Sequence, residues 1–82
     1  NRDIHVVEPY SIPSSWRRFR SCDYGYSSWS VVLWMAARPD GHIIVYRELY
    51  VRKKTADELA DVILNIERQA DDRTASTTFR QK

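Results

Sequence analysis

Three stretches of the chain carry apolar residues in the patterns typical of β-strands. Trp16 to Tyr24 places every second residue on one face, and this period predicts a strand. Ser30 to Arg38 contains an unbroken apolar run, which predicts a strand buried on both faces. His42 to Val51 is rich in β-branched and aromatic residues and predicts a strand that returns from a Pro-Asp-Gly turn at 39–41. The last two strands therefore form an antiparallel hairpin.

The clearest element is a helix predicted from Thr55 to about Arg68. Thr55 and Glu58 have the spacing of a capping box, in which each side chain bonds the other residue's backbone N–H. The apolar residues that follow recur at helical spacing and form one face: Leu59, Val62, Ile63 and Ile66. The order strand, strand, strand, helix predicts an α/β fold in which the helix covers one sheet face. Because the other face lacks a cover, we expect the chain to be a fragment of a larger domain.

The predicted domain organisation follows from where these patterns stop. Residues 1–13 contain two prolines and little periodicity, and we interpret them as an entry segment or linker. Residues 14–70 hold the predicted strands and helix. Residues 71–82 are polar, and we expect a flexible tail there.

Composition narrows the class of protein without indicating a function. The chain has 82 residues, which is enough for one small domain or part of one. One cysteine cannot form an internal disulfide, and a net charge of +2 does not by itself indicate nucleic-acid binding. No apolar run reaches the roughly 18 residues of a membrane span. A content of 43% apolar residues argues against disorder, so we expect a cytoplasmic globular protein without a membrane partner.

Candidate chemistry begins at Asp23, at the end of the first predicted strand. Asp23 is followed by a turn-forming cluster from Gly25 to Ser28. A carboxylate at the rim of a sheet can hold a hard cation such as Mg²⁺ together with phosphate oxygens. The alternative is a turn aspartate that caps backbone N–H groups.

The segment around Asp23 resembles the start of the nuclease domain of large terminase subunits, the DNA-packaging enzymes of tailed bacteriophages and prophages. The shared order is proline, small, Trp, basic, aromatic, basic, two further residues, Asp, aromatic, Gly, aromatic, and it runs here from Pro13 to Tyr26. The later match includes the Pro-Asp-Gly turn, the stretch from Tyr46 to Tyr50 and the helix that opens at Thr55. The resemblance extends to about Glu67.

This resemblance implies a ribonuclease H-like fold, with three antiparallel strands, a helix, and then further strands parallel to the first. It implies that Asp23 is a catalytic metal ligand. The complete domain would use two Mg²⁺ or Mn²⁺ ions, roughly 3.5–4 Å apart, to cut concatemeric double-stranded DNA during packaging. The implied partners are double-stranded DNA, an upstream ATPase domain, the small terminase subunit and the portal. The implied location is the cytoplasm of a bacterial host cell.

The other acids fit this site less well. In the family a second carboxylate lies on the strand after the helix, but residues 74–82 contain no acid. Asp71 and Asp72 come just before, and we interpret them as surface residues. Glu48 lies on the third predicted strand, about 10 Å from the first at ~4.8 Å per strand. Glu48 is therefore a candidate for supporting a ligand indirectly or for pairing with an arginine such as Arg47 or Arg52. We expect the chain alone to be inactive.

Basic and aromatic residues are the remaining candidates. Arg52, Lys53 and Lys54 precede the helix and are candidate contacts for DNA phosphates, with ordinary surface charge as the alternative. The tryptophans and tyrosines are candidate stacking groups for single strands, although Trp34 is better explained as core. Cys22 has no visible base and is best explained as a small buried residue.

Two other functions are compatible with the sequence. A sugar-kinase or actin-like ATPase also opens with a strand, an Asp-x-Gly turn and a hairpin, but Tyr26 follows Gly25 where such proteins usually have a small residue. A non-catalytic interaction module would use the open sheet face to bind a partner.

Overall fold

Five strands and one helix form in the part of the chain that the structure, a computed structural model, describes: residues 4–7, 12–13, 15–70 and 77–81. The elements in chain order are β1 (Ile4–Val7), β2 (Arg17–Tyr24), β3 (Ser30–Ala37), β4 (Ile43–Val51), α1 (Ala56–Gln69) and β5 (Thr77–Gln81). The strands form one sheet in the order β1-β4-β3-β2-β5. Neighbours are antiparallel except β5, which runs parallel to β2. The described part of the chain is therefore an α/β structure with one helix.

The three predicted strands are confirmed with bounds that shift by one residue. β3 and β4 are joined by the predicted turn, in which the Arg38 carbonyl accepts from the Gly41 N–H at 2.9 Å. The Arg38 N–H in turn donates to the His42 carbonyl at 2.8 Å. Gly41 has a φ of +94°, a conformation that glycine adopts without the clash of a Cβ atom.

The predicted capping box at the start of α1 is also confirmed. The Glu58 backbone N–H donates to Thr55 Oγ1 at 3.2 Å, and the Thr55 N–H donates to Glu58 Oε1 at 2.8 Å. Leu59 and Ile63, one turn apart on the predicted apolar face, are buried against the sheet. The cap therefore fixes where the helix begins, and apolar contacts fix which side it turns to the sheet.

The prediction that β3 is buried on both faces is wrong. Val32, Trp34 and Ala36 are 0% exposed, whereas the residues between them are half-buried. Alternate burial arises because α1 covers one face, and no described element covers the other. An unbroken apolar run therefore does not require two covered faces.

Two short strands correct the predictions for the ends of the chain. Ile4–Val7 was predicted as part of an entry segment, but as β1 it pairs with β4 from Ile4↔Val51 to Val7↔Glu48. Thr77–Gln81 was predicted as part of a flexible tail, but as β5 it pairs with β2. Both segments are too short to show a clear period. Hydrogen bonding to an existing sheet edge specifies them instead.

Glu67, a buried acid that was not among the predicted residues, connects the C-terminal part of α1 to the sheet. Glu67 is 8% exposed, and its carboxylate accepts from the Arg20 guanidinium on β2. It also accepts from the indole N–H of Trp34 at 2.7 Å. The spacing could have revealed it, because position 67 continues the buried stripe of Leu59 and Ile63 at four-residue intervals.

Candidate metal and nucleic-acid site

Asp23 lies next to the last residue of β2 and on the sheet face opposite α1. Its neighbours in the strand, Cys22 and Tyr24, belong to the core under the helix. Because side chains alternate along a strand, Asp23 is directed to the open face. The residue is half-buried, and its Oδ1 atom is shielded from solvent. The carboxylate therefore sits at the rim of the sheet but within its surface.

An open hollow of about 420 Å³ contains this carboxylate on the uncovered face. Aliphatic groups of β3 and two hydroxyl-bearing residues line the hollow together with Asp23. Oxygen donors of this kind are the ligands that Mg²⁺ and Mn²⁺ prefer. The lining residues are Ser21, Cys22, Asp23, Val31, Leu33 and Thr78.

Several elements end on the same side of the sheet as Asp23. β2 and β5 are parallel, and the register pairs Asp23 with Arg80 and Tyr24 with Gln81, so their carboxyl ends lie together. β4 also ends there, because Val51 pairs with Ser30 at the start of β3. Ligands of open α/β sheets bind beyond the carboxyl ends of parallel strands, so Asp23 occupies a favourable position for a site.

Glu48 does not reach Asp23. The register places Glu48 opposite Leu33 of β3, and β3 in turn separates β4 from β2. The Glu48 carboxylate accepts from the hydroxyl of Tyr50 in its own strand, and this bond raises the pKa of Tyr50. Neither arginine suggested from sequence is seen to pair with Glu48: the Arg47 guanidinium lies over Trp34 on the covered side.

The described residues do not complete a two-metal site. β5 is the strand that follows the helix, and residues 77–81 carry no acid. Asp71 and Asp72 lie outside the described residues. No group of three or more His, Cys, Asp or Glu side chains suited to a metal ion occurs among the residues described. Asp23 therefore supplies at most one carboxylate of such a site.

The basic residues Arg52, Lys53 and Lys54 form a turn beside the loop that leaves β2. The Lys53 N–H donates to the Tyr26 carbonyl at 2.7 Å. The hydroxyl of the buried Tyr24 donates to the Lys54 carbonyl at 2.8 Å. The predicted cationic cluster is thereby held at the same end of the sheet as Asp23.

Trp34 and Cys22, which were predicted to be buried structural residues, are both buried. Trp34 is fully buried in the core. Cys22 is 4% exposed, and burial, followed by the negative charge of Asp23, raises the pKa of its thiol. A raised pKa keeps the thiol protonated at neutral pH, which fits a small buried residue and not a nucleophile.

Comparison with known proteins gives no relative: no protein-family model, no curated protein and no solved structure matches the chain. Within the described ranges, no helix has the length and hydropathy needed to cross a membrane.

Proposed function

We propose that the chain is the first part of a ribonuclease H-like nuclease domain of a terminase large subunit. The complete protein would use two divalent metal ions to cut concatemeric double-stranded DNA during genome packaging. In this proposal Asp23 is a catalytic metal ligand, and the basic turn at residues 52–54 contacts the DNA backbone.

The order and direction of the strands support this assignment. β2, β3 and β4 are antiparallel neighbours, α1 follows, and β5 then returns beside β2 and parallel to it. The resemblance at Asp23 implies this sequence of elements, with later strands parallel to the first. β1, which pairs with the outer side of β4, is an addition to the implied order.

The position of Asp23 is the observation that carries the proposal. A half-buried carboxylate lies at the carboxyl end of β2, on the uncovered face, next to a parallel strand. A second acid located where β5 ends would approach the same hollow, because the register brings Gln81 level with Tyr24. Asp23 fits one ligand position, and further carboxylates are needed.

Each partner in this site has a distinct task. Asp23, with carboxylates from outside the described residues, would hold divalent ions, which would supply an activated water and neutralise charge on the phosphodiester. Asp23 would contribute an oxygen donor, and its Oδ1 atom is shielded from solvent. The lysines at 53 and 54 add positive charge that attracts phosphate.

The ATPase alternative is disfavoured by the loop after β2. A phosphate-binding turn requires backbone N–H groups that point towards the ligand. The Gly25 N–H instead donates to Ser30 Oγ at 2.8 Å, and that hydroxyl donates back to the Gly25 carbonyl at 2.7 Å. Gly25 is buried, so its backbone serves to close the loop.

Substitution of Asp23 tests the proposal in the full-length protein. Asp23→Asn keeps the shape of the side chain but removes its negative charge, so we expect loss of Mg²⁺- or Mn²⁺-dependent cleavage of concatemeric DNA. Asp61→Asn, at an exposed position on α1, is the matched control and should cleave at the wild-type rate. Circular dichroism checks that both variants fold. Cleavage by Asp23→Asn at the wild-type rate would exclude the assigned role.

A further inference from the structure

One aromatic side chain stands out at the end of the sheet where Asp23 lies. Tyr26 is 55% exposed, and every other tyrosine, tryptophan or phenylalanine side chain that the structure describes is buried or half-buried. Tyr24 is buried, and Trp29 lies under the Arg52 guanidinium at 4.8 Å from the ring centroid. The sequence alone could not separate these rings, and the structure shows that Tyr26 is the most exposed of those described.

The loop that carries Tyr26 is held in place from two sides. The Tyr26 carbonyl accepts from the Lys53 N–H at 2.7 Å, and this bond holds the loop against the basic turn. On the other side, the two hydrogen bonds between Gly25 and Ser30 close the loop onto β3. An exposed ring on a braced loop binds with a smaller loss of conformational entropy than a ring on a free loop.

Lys53 has an unusual backbone conformation beside this ring. Its φ is +62°, in the left-handed region where glycine and asparagine are the common residues. That conformation allows its N–H to reach Tyr26, while its side chain is exposed. The neighbouring Lys54 is half-buried. Lys53 is therefore the cation best placed to meet a ligand next to Tyr26.

We propose that Tyr26 and Lys53 form a binding surface for single-stranded nucleic acid. An unpaired base stacks on the Tyr26 ring, and an adjacent phosphate contacts the Lys53 ammonium. The choice of DNA rests on the proposed function, and the inference adds the strand class and the residues that recognise it. An exposed ring favours an unpaired strand over a duplex, because base pairs already stack on one another and offer no free face.

Fluorescence anisotropy with the full-length protein tests this proposal without any cleavage. The probes are a labelled oligothymidylate and a labelled duplex of the same length, in EDTA. We expect Tyr26→Ala to weaken binding of the single strand about tenfold, and Tyr26→Phe, which keeps the ring, to bind like the wild type. Binding of the duplex should change by less than about twofold in either variant.

Lys53→Gly provides a second variant that does not threaten the fold, because glycine accepts the positive φ of this position. Loss of one phosphate contact should reduce the slope of log affinity against log salt by about 0.7 for the single strand. Lys53→Arg, which keeps the charge, should leave the slope unchanged.

Several results would overturn the inference. The first is that the wild type does not bind the oligothymidylate. The second is that Tyr26→Ala loses the same affinity for the single strand as for the duplex. The third is that Lys53→Gly leaves the salt dependence of the affinity unchanged. Selective binding of phosphatidylserine vesicles in place of the oligonucleotide would assign the surface to a membrane instead. Failure here is distinguishable from failure of the nuclease proposal, because the latter is measured by the cleavage activity of Asp23→Asn.

Discussion

The two faces of the sheet are built from alternate residues of the same strands, yet they have different surroundings. On the covered face, Val32, Trp34 and Leu49 are 0% exposed beneath α1. On the open face, Asp23 and Leu33 are half-buried and line an open hollow. Neighbouring residues of one strand therefore have different roles. The covered face supplies stability, and the open face carries the candidate chemistry.

The largest expected effect contrasts two adjacent residues of β3. Trp34→Ala removes a fully buried ring and should lower the free energy of unfolding by about 3–5 kcal/mol. Leu33→Ala, on the open face, should cost about 1–2 kcal/mol because its side chain is only half-buried. Urea denaturation followed by circular dichroism measures both, and Trp34→Phe replaces Trp34→Ala if the latter does not fold. Equal losses at the two positions would contradict the assignment of the faces.

A smaller effect should appear at the contact that fastens α1 to the sheet. Glu67→Ala removes the acceptor shared by the Arg20 guanidinium and the Trp34 indole N–H, so the free energy of unfolding should fall by about 2–3 kcal/mol. Asp61→Ala, which removes an exposed acid from the same helix, should change it by less than about 0.5 kcal/mol. Similar values for the two variants, by the same denaturation, would show that the buried carboxylate does not anchor the helix.

The smallest expected effect concerns the cap of the covering helix and depends on pH. The Thr55 N–H, followed by the Thr55 hydroxyl and the charge of Lys54, lowers the pKa of Glu58 below its ordinary 4.5. The ionised carboxylate therefore stabilises the fold above that value, and the stabilisation is lost as the pH falls through the lowered pKa. Glu58→Gln keeps a capping side chain without a charge. The wild type should exceed this variant in stability at neutral pH, and the difference should shrink below about pH 4.5. Thermal unfolding of both proteins from pH 2 to 7 measures this difference. A difference in stability that stays constant with pH would refute the prediction.

The elements whose local pattern agrees with their surroundings were predictable. β2 follows a two-residue period, and α1 combines a capping box with an apolar face. The same period separates Asp23 from Cys22 and Tyr24, but the structure is needed to show which of the two faces the helix covers. For α1 the sequence predicts both the helix and the side that becomes buried.

Features that depend on distant parts of the chain were not predictable. β1 and β5 have four and five residues and form by pairing with strands far along the chain. The spacing of Glu67 places it on the buried side of α1, but its partner Arg20 lies 47 positions away in sequence. Which tyrosine is exposed also depends on packing, since Tyr24 and Tyr26 differ little in their local sequence. Contacts between remote residues set each of these outcomes.

β1 has a consequence for the time order of folding. Its first residue pairs with Val51 of β4, so this strand cannot dock until β4 has been synthesised. Closing such a long loop is entropically costly and slow compared with forming the β3–β4 hairpin. On the ribosome, β1 therefore emerges before the strand that it pairs with and must wait for it.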